Sequence, residues 1–155
     1  MIALLFVCLG NICRSPALMG YMNYLALQKG ISDQVYIDSC GLHSSFLGSP
    51  PDARMQRVAK EKGIIFNHQA KMFEPAFFDS FQAIFGVTEE IVSHLRSLAH
   101  TPEEQAKIHL ATAFSQNYKG MDIPDPYYLG AKGFEKIWEI IEDACVGIFK
   151  QFIQA

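Results

Sequence analysis

The sequence predicts an α/β fold: a single three-layer domain in which a parallel sheet carries helices on both faces. Three observations predict it. Short apolar runs alternate along the chain with segments of helical period, the pattern of strands joined by helical crossovers. The first run, Ile2 to Val7, is apolar without interruption, as a strand buried on both faces requires. Near the C-terminus, Phe134, Ile137, Trp138, Ile141, Cys145, Ile148, Phe149 and Phe152 fall on one helical face, the stripe of a helix laid on a sheet.

Taken in order, residues 2–7 read as the first strand and residues 16–29 as a helix with Leu18, Met22 and Leu25 inward. Ser15 suits the N-cap of that helix, Pro16 its first position and Gly30 its stop. Val35 to Asp38 is a short strand, and residues 39–51 form a loop. Asp52 caps a helix that runs to about Lys62 and closes at Gly63. Residues 64–75 are irregular, followed by a short helix over Pro75 to Asp79. Gln82 to Val87 is the next strand, and Thr88 caps a helix carrying Ile91, Val92 and Leu95. Residues 99–107 read as a polar connection, His109 to Ala113 as a fourth strand, and Asn117 to Leu129 as a loop with Asp122 and Asp125. In the final helix Trp138 is expected in the core.

Composition excludes several functions. A chain of 155 residues, half of them hydrophobic and 19% charged, suits one soluble domain with a substantial core. The net charge of −3, with no Lys/Arg block, leaves no footprint for nucleic acid. No stretch approaches the roughly 18–20 apolar residues of a membrane span. Met1 to Val7 lacks the basic start of a signal peptide, and the large Val7 is wrong before a lipoprotein cysteine. Cys8, Cys13, Cys40 and Cys145 show neither zinc pairing nor a disulfide framework, so reduced thiols in a cytoplasm are expected.

The chemistry concentrates in Cys8-Leu9-Gly10-Asn11-Ile12-Cys13-Arg14-Ser15-Pro16. A strand that enters a tight loop and then a helix converges backbone N–H groups on one point, and the helix dipole adds positive character there. Gly10 is expected to supply unusual backbone angles, and Asn11 tolerates the left-handed region. Cys8 lies at the strand's carboxyl end, where ligands of parallel sheets bind. Arg14 can fold back over the same point, its planar fork matching two phosphate oxygens. A cysteine nucleophile in a phosphate cradle is the apparatus of a cysteine-dependent phosphatase.

The CLGNICRSP stretch resembles the signature of the low molecular weight protein tyrosine phosphatases, and Asp125-Pro126-Tyr127-Tyr128 resembles a second mark of that family. The resemblance implies a four-stranded sheet of order 2-1-3-4. It implies phosphotyrosine hydrolysis through a phosphocysteine, with Cys8 as nucleophile, Arg14 as phosphate clamp and Asp125 as general acid. Leu9, Gly10, Asn11, Ile12 and Cys13 would form the cradle, Ser15 would hydrogen-bond the thiolate, and Ser39 would buttress Asn11. Cys13 would form a reversible disulfide with Cys8. Phe46, Tyr127 and Tyr128 would rim the site. The substrate would be a tyrosine-phosphorylated protein, with no cofactor, metal, nucleic acid or membrane, and with a monomer capable of weak self-association.

Some positions depart from the family. Its rim Trp or Tyr falls on Ser45, with Phe46 one residue off. Its Met-Asp before the third helix is Val87-Thr88 here, and the Arg expected after His68-Gln69-Ala70 is Lys71. Alternatives also stand. Asp122 rivals Asp125 as the acid. Thioredoxin-linked arsenate reductases share the loop but need two further cysteines in one mobile segment. Protein arginine phosphatases carry Thr where Ile12 stands, and an apolar Ile12 favours an aromatic ring. A phosphotyrosine-binding module would need neither Cys8 nor Asp125.

Overall fold

A computed structural model describes residues 1–64, 67–126 and 130–154. Strands β1 (Ile2–Cys8), β2 (Val35–Gly41), β3 (Ala83–Gly86) and β4 (Ile108–Leu110) form one sheet in the order β2-β1-β3-β4, with every pairing parallel. β1 is central, and Leu4, Leu5, Phe6 and Val7 are fully buried, which is why the run could omit polar residues. Helix α1 (Arg14–Gln28) packs on β1, β2 and the long C-terminal helix, whereas α4 (Glu89–Leu98) packs on β3 and β4. Helices α2 (Ala53–Glu61), α3 (Phe77–Ser80) and α5 (Pro102–Ala106) lie in the connections. Helix α6 (Ala131–Ile148) buries Phe134, Ile137, Trp138, Ile141, Cys145 and Ile148 in the core and continues as a π-helical turn, Phe149–Ile153. None of the helices among the described residues is long and apolar enough to cross a membrane.

The expected caps form: Asp52 accepts from Arg54 N at 2.8 Å and Thr88 from Ile91 N at 3.2 Å. Gly30 and Gly63 follow α1 and α2 in the left-handed region, as stops require.

β1 runs one residue further than expected, to Cys8, β3 is shorter at both ends, and five larger differences separate the structure from the sequence reading. α1 begins at Arg14, so Ser15 lies inside the helix and is not its cap, and no side chain caps its start. Pro16 becomes the third helical residue, where its missing N–H still costs nothing, because the first four helical amides have no intrahelical acceptor. β2 runs on to Gly41, because Ser39, Cys40 and Gly41 pair with Phe6, Val7 and Cys8. The fourth strand is Ile108–Leu110, and Ala111–Phe114 turns into a 3-10 helix. The short helix is Phe77–Ser80, two residues later than Pro75. The connection 99–107 contains α5, whose Thr101 accepts from Glu104 N at 3.1 Å while Glu104 reaches back to His100 N at 2.7 Å. The Thr-x-x-Glu capping-box pattern, with Pro102 first in the helix, was present in the sequence, although Glu104 reaches back to the residue before the cap and not to the cap itself.

Candidate active site

The cradle is the loop between β1 and α1. Asn11 is the one non-glycine residue with positive φ among the described residues, at 60°. Such a backbone costs of order 1 kcal/mol, least for Asn. Its side chain holds the conformation. Nδ2 donates to Ser15 Oγ at 2.8 Å and to Ser39 Oγ at 3.0 Å. Oδ1 accepts from Lys71 N at 3.0 Å and from His68 Nε2 at 2.8 Å, which fixes the proton of that imidazole on Nε2. Every donor and acceptor of the amide is therefore used.

The backbone of the loop is held from outside. Leu42 N and His43 N both donate to Leu9 O, at 2.9 and 3.2 Å, and Asp52 N donates to Ile12 O at 2.7 Å. These carbonyls are committed away from the sulfur. The approach of Leu9 explains Gly41, where a β-carbon would lie 2.6 Å from Leu9 O. Gly10 has an ordinary φ, contrary to the sequence reading. Its requirement is space, since a β-carbon there would lie 2.8 Å from the Phe46 ring.

Cys8 is buried, with Ser15 Oγ at 2.9 Å and Asn11 N donating to its sulfur at 3.2 Å. Ser15 Oγ already accepts from Asn11, so toward a Cys8 thiolate the hydroxyl donates. Arg14 is buried at the start of α1, and its Nη1 donates to Ile123 O at 2.9 Å. Arg14 also lines a cavity of about 260 Å³. That cavity is walled by the loop from Cys8 to Arg14 together with His43, Phe46 and Asp125.

The structure thus brings Cys8, Leu9, Gly10, Asn11, Ile12, Cys13, Arg14, Phe46 and Asp125 to one cavity, with Ser15 and Ser39 behind its floor. Phe46 supplies the aromatic wall, and Ser45 does not line it. Tyr127 and Tyr128 lie outside the described residues. Asp122 is not in the cavity, because its Oδ1 accepts from Glu89 N at 2.8 Å at the start of α4.

Two histidines were missed. His43 lines the cavity, and no pattern in the sequence marks it. His68 packs behind Asn11, and burial pushes its imidazole below the ordinary value, against the charge of Asp38. The His68-Gln69-Ala70 stretch was visible, but which atoms it meets was not. Lys71, which stands where the resemblance led one to expect Arg, forms an ion pair with Asp38.

The other thiols are held neutral. Burial first, then the charges of Asp52, Cys8 and Asp125, push Cys13 up to about 12. Burial likewise raises Cys40 and Cys145, which sit on β2 and α6. The two are buried on separate core elements and do not share one segment, as the extra cysteine pair of an arsenate reductase would. Among the described residues no group of three or more His, Cys, Asp and Glu side chains is placed to hold a metal.

Comparison with known proteins agrees with this geometry. The family profile of the low molecular weight phosphotyrosine protein phosphatases matches residues 3–155. The low molecular weight protein-tyrosine-phosphatase YfkJ of Bacillus subtilis is 34% identical over 146 residues, covering 94% of this chain and 92% of that protein. A crystal structure of a protein tyrosine phosphatase from Entamoeba histolytica superimposes with a TM-score of 0.93 at 32% identity, covering 99% of this chain and 98% of the other. A Drosophila arginine phosphatase superimposes with a TM-score of 0.88 at 31% identity, covering 97% of each chain. With its cysteine-centred loop on the same four-stranded sheet, the chain belongs to the low molecular weight phosphotyrosine protein phosphatase family.

Proposed function

We propose that this protein hydrolyses phosphotyrosine in proteins, and aryl phosphate monoesters generally, through a phosphocysteine. The supporting observation is the meeting of Cys8, Arg14 and Asp125 at one cavity whose floor presents Asn11 N and Ser15 Oγ to the sulfur. In the first step the Cys8 thiolate attacks phosphorus, the bond to the phenolic oxygen breaks, and Asp125 gives that oxygen its proton. Loop amides and the Arg14 fork match the charge on the three equatorial oxygens. In the second step the Asp125 carboxylate takes a proton from water as its oxygen bonds to phosphorus. The sulfur leaves as thiolate, stabilised by the Ser15 hydroxyl, and inorganic phosphate departs. Phe46 flanks the ring of the leaving group. Peroxide would oxidise the Cys8 thiolate to a sulfenic acid, and attack by the Cys13 sulfur would expel water and form a disulfide that added dithiol reduces.

Likeness to an arginine phosphatase keeps phosphoarginine as the second reading. Ile12, an apolar wall residue, favours an aromatic ring over a guanidinium.

Turnover of phosphotyrosine and phosphoarginine peptides by the wild-type protein separates the two. Cys8→Ser is expected to abolish turnover yet retain phosphopeptide, and substantial residual turnover would end this reading. Asp125→Asn is expected to slow phosphotyrosine hydrolysis on the order of 10²–10⁴-fold. Activated aryl phosphates, whose phenoxides leave unaided, should lose much less.

A further inference from the structure

We propose that Asp122 is a positioning residue that sets Asp125 over the cradle by tying the acid loop to the N-terminus of α4. The inference rests on the acid role proposed for Asp125. Asp122 Oδ1 accepts from Glu89 N at 2.8 Å. Glu89 is the first residue of α4, and the Thr88 side chain is already engaged by Ile91 N. Thr88 therefore satisfies the third amide of the helix, and Asp122 satisfies the first from a different segment. A carboxylate also suits the positive end of the helix. Ile123, the next residue, is fully buried. Its N–H donates to Val87 O at 2.9 Å, and its carbonyl accepts from Arg14 Nη1 at 2.9 Å. Two adjacent residues are thus pinned to the end of β3, the start of α4 and the phosphate-binding arginine.

Only Pro124 separates this anchor from Asp125, and Pro126 follows it. Each proline ring locks φ near −65°, so few torsions remain to absorb a displaced anchor. The position of residue 122 is transmitted to the carboxyl of residue 125. Asp122 itself does not line the cavity and does not touch the reacting atoms.

The test is the slope of log(kcat/KM) against leaving-group pKa over a series of aryl phosphates. Asp122→Ala should lower kcat/KM for phosphotyrosine on the order of 10- to 100-fold, the scale of a displaced catalytic group, and should steepen the slope toward that of Asp125→Asn. Asp122→Asn keeps an acceptor oxygen and should restore most of both. Glu89→Pro removes the N–H that Asp122 needs while keeping the helix, since proline suits the first helical position and Thr88 is already extended (φ −137°, ψ 164°). It should reproduce the steeper slope, whereas Glu89→Ala, which keeps the N–H, should retain the wild-type slope. A merely structural role would lower Tm in these variants and leave the slope alone. Wild-type slopes in folded Asp122→Ala and in Glu89→Pro, beside a steep slope in Asp125→Asn, would overturn the positioning role and leave the acid assignment standing. A wild-type slope in Asp125→Asn would overturn both.

Discussion

Asn11 has all four hydrogen-bonding positions of its side chain engaged inside the protein, on Ser15, Ser39, His68 and the Lys71 backbone. Its own N–H reaches the Cys8 sulfur. One residue therefore links the floor of the cradle to β2 and to the segment that follows α2. Asn11→Ala loses those bonds, strands buried partners and adds a left-handed penalty. It is expected to cost about 3 kcal/mol. For a domain of this size that is a fall in Tm of roughly 6–12 °C. Because Ser15 and the Asn11 N–H would lose alignment on the sulfur, kcat/KM should fall at least ~10-fold. Asn11→Gly keeps the backbone angle without the bonds. If Gly matches wild type in thermal melts and turnover, strain relief rather than bonding is what Asn11 provides.

At the scale of elements, each group of the proposed mechanism is placed by a junction. β1 delivers Cys8 to the carboxyl edge, the first turn of α1 delivers Arg14, and the segment after β4 delivers Asp125. The close approach at Gly41 lets β2 run under the loop, so the element that buttresses the cradle is itself a core strand. Helix α5 has no part in this, for none of its residues lines the cavity. Thr101→Ala should therefore separate stability from activity. Losing the cap should cost about 1 kcal/mol, a Tm shift of roughly 2–4 °C, with kcat/KM at the wild-type value. A drop in kcat/KM beyond the loss of folded protein would show that α5 reaches the site.

Across the whole molecule, a parallel sheet gathers at one edge the loops that follow its strands, which is how segments near residues 8, 43 and 125 meet at the cavity while the segment after β3 bonds to Asp122 and Ile123. The same convergence buries His68 among Asn11, Ser39 and Asp38. Burial lowers its pKa from the ordinary 6.5, so below that value the unfolded chain holds the extra proton and the folded chain does not. Stability should then fall as pH drops through the window just below 6.5, and His109, lowered by burial and then by the charge of Arg96, adds to the effect. Urea melts between about pH 7.5 and 5.5 should show this decline, and His68→Asn should flatten part of it. An unchanged pH slope in the variant would place the acid sensitivity elsewhere.

The sequence by itself determined what is local. Strand β1, the caps Asp52 and Thr88, the stops Gly30 and Gly63 and the apolar stripe of α6 all follow from neighbouring residues and their period. The cradle was legible for the same reason, because Cys8 to Ser15 are contiguous and a strand–loop–helix geometry needs no distant partner. Ser15 was misread as a cap because its hydroxyl is taken by Cys8 and Asn11, a competition that only the folded loop creates. Only the tertiary structure decided that Asp125 faces the cavity while Asp122 caps α4, since the two differ in the distant backbone they meet. It also decided the roles of His43 and His68, the space that Gly10 leaves for Phe46, and the extension of β2 to Gly41. Each of those depends on contacts between segments dozens of residues apart. Local period and propensity carry no term for such contacts; the packed sheet and its crossovers supply them.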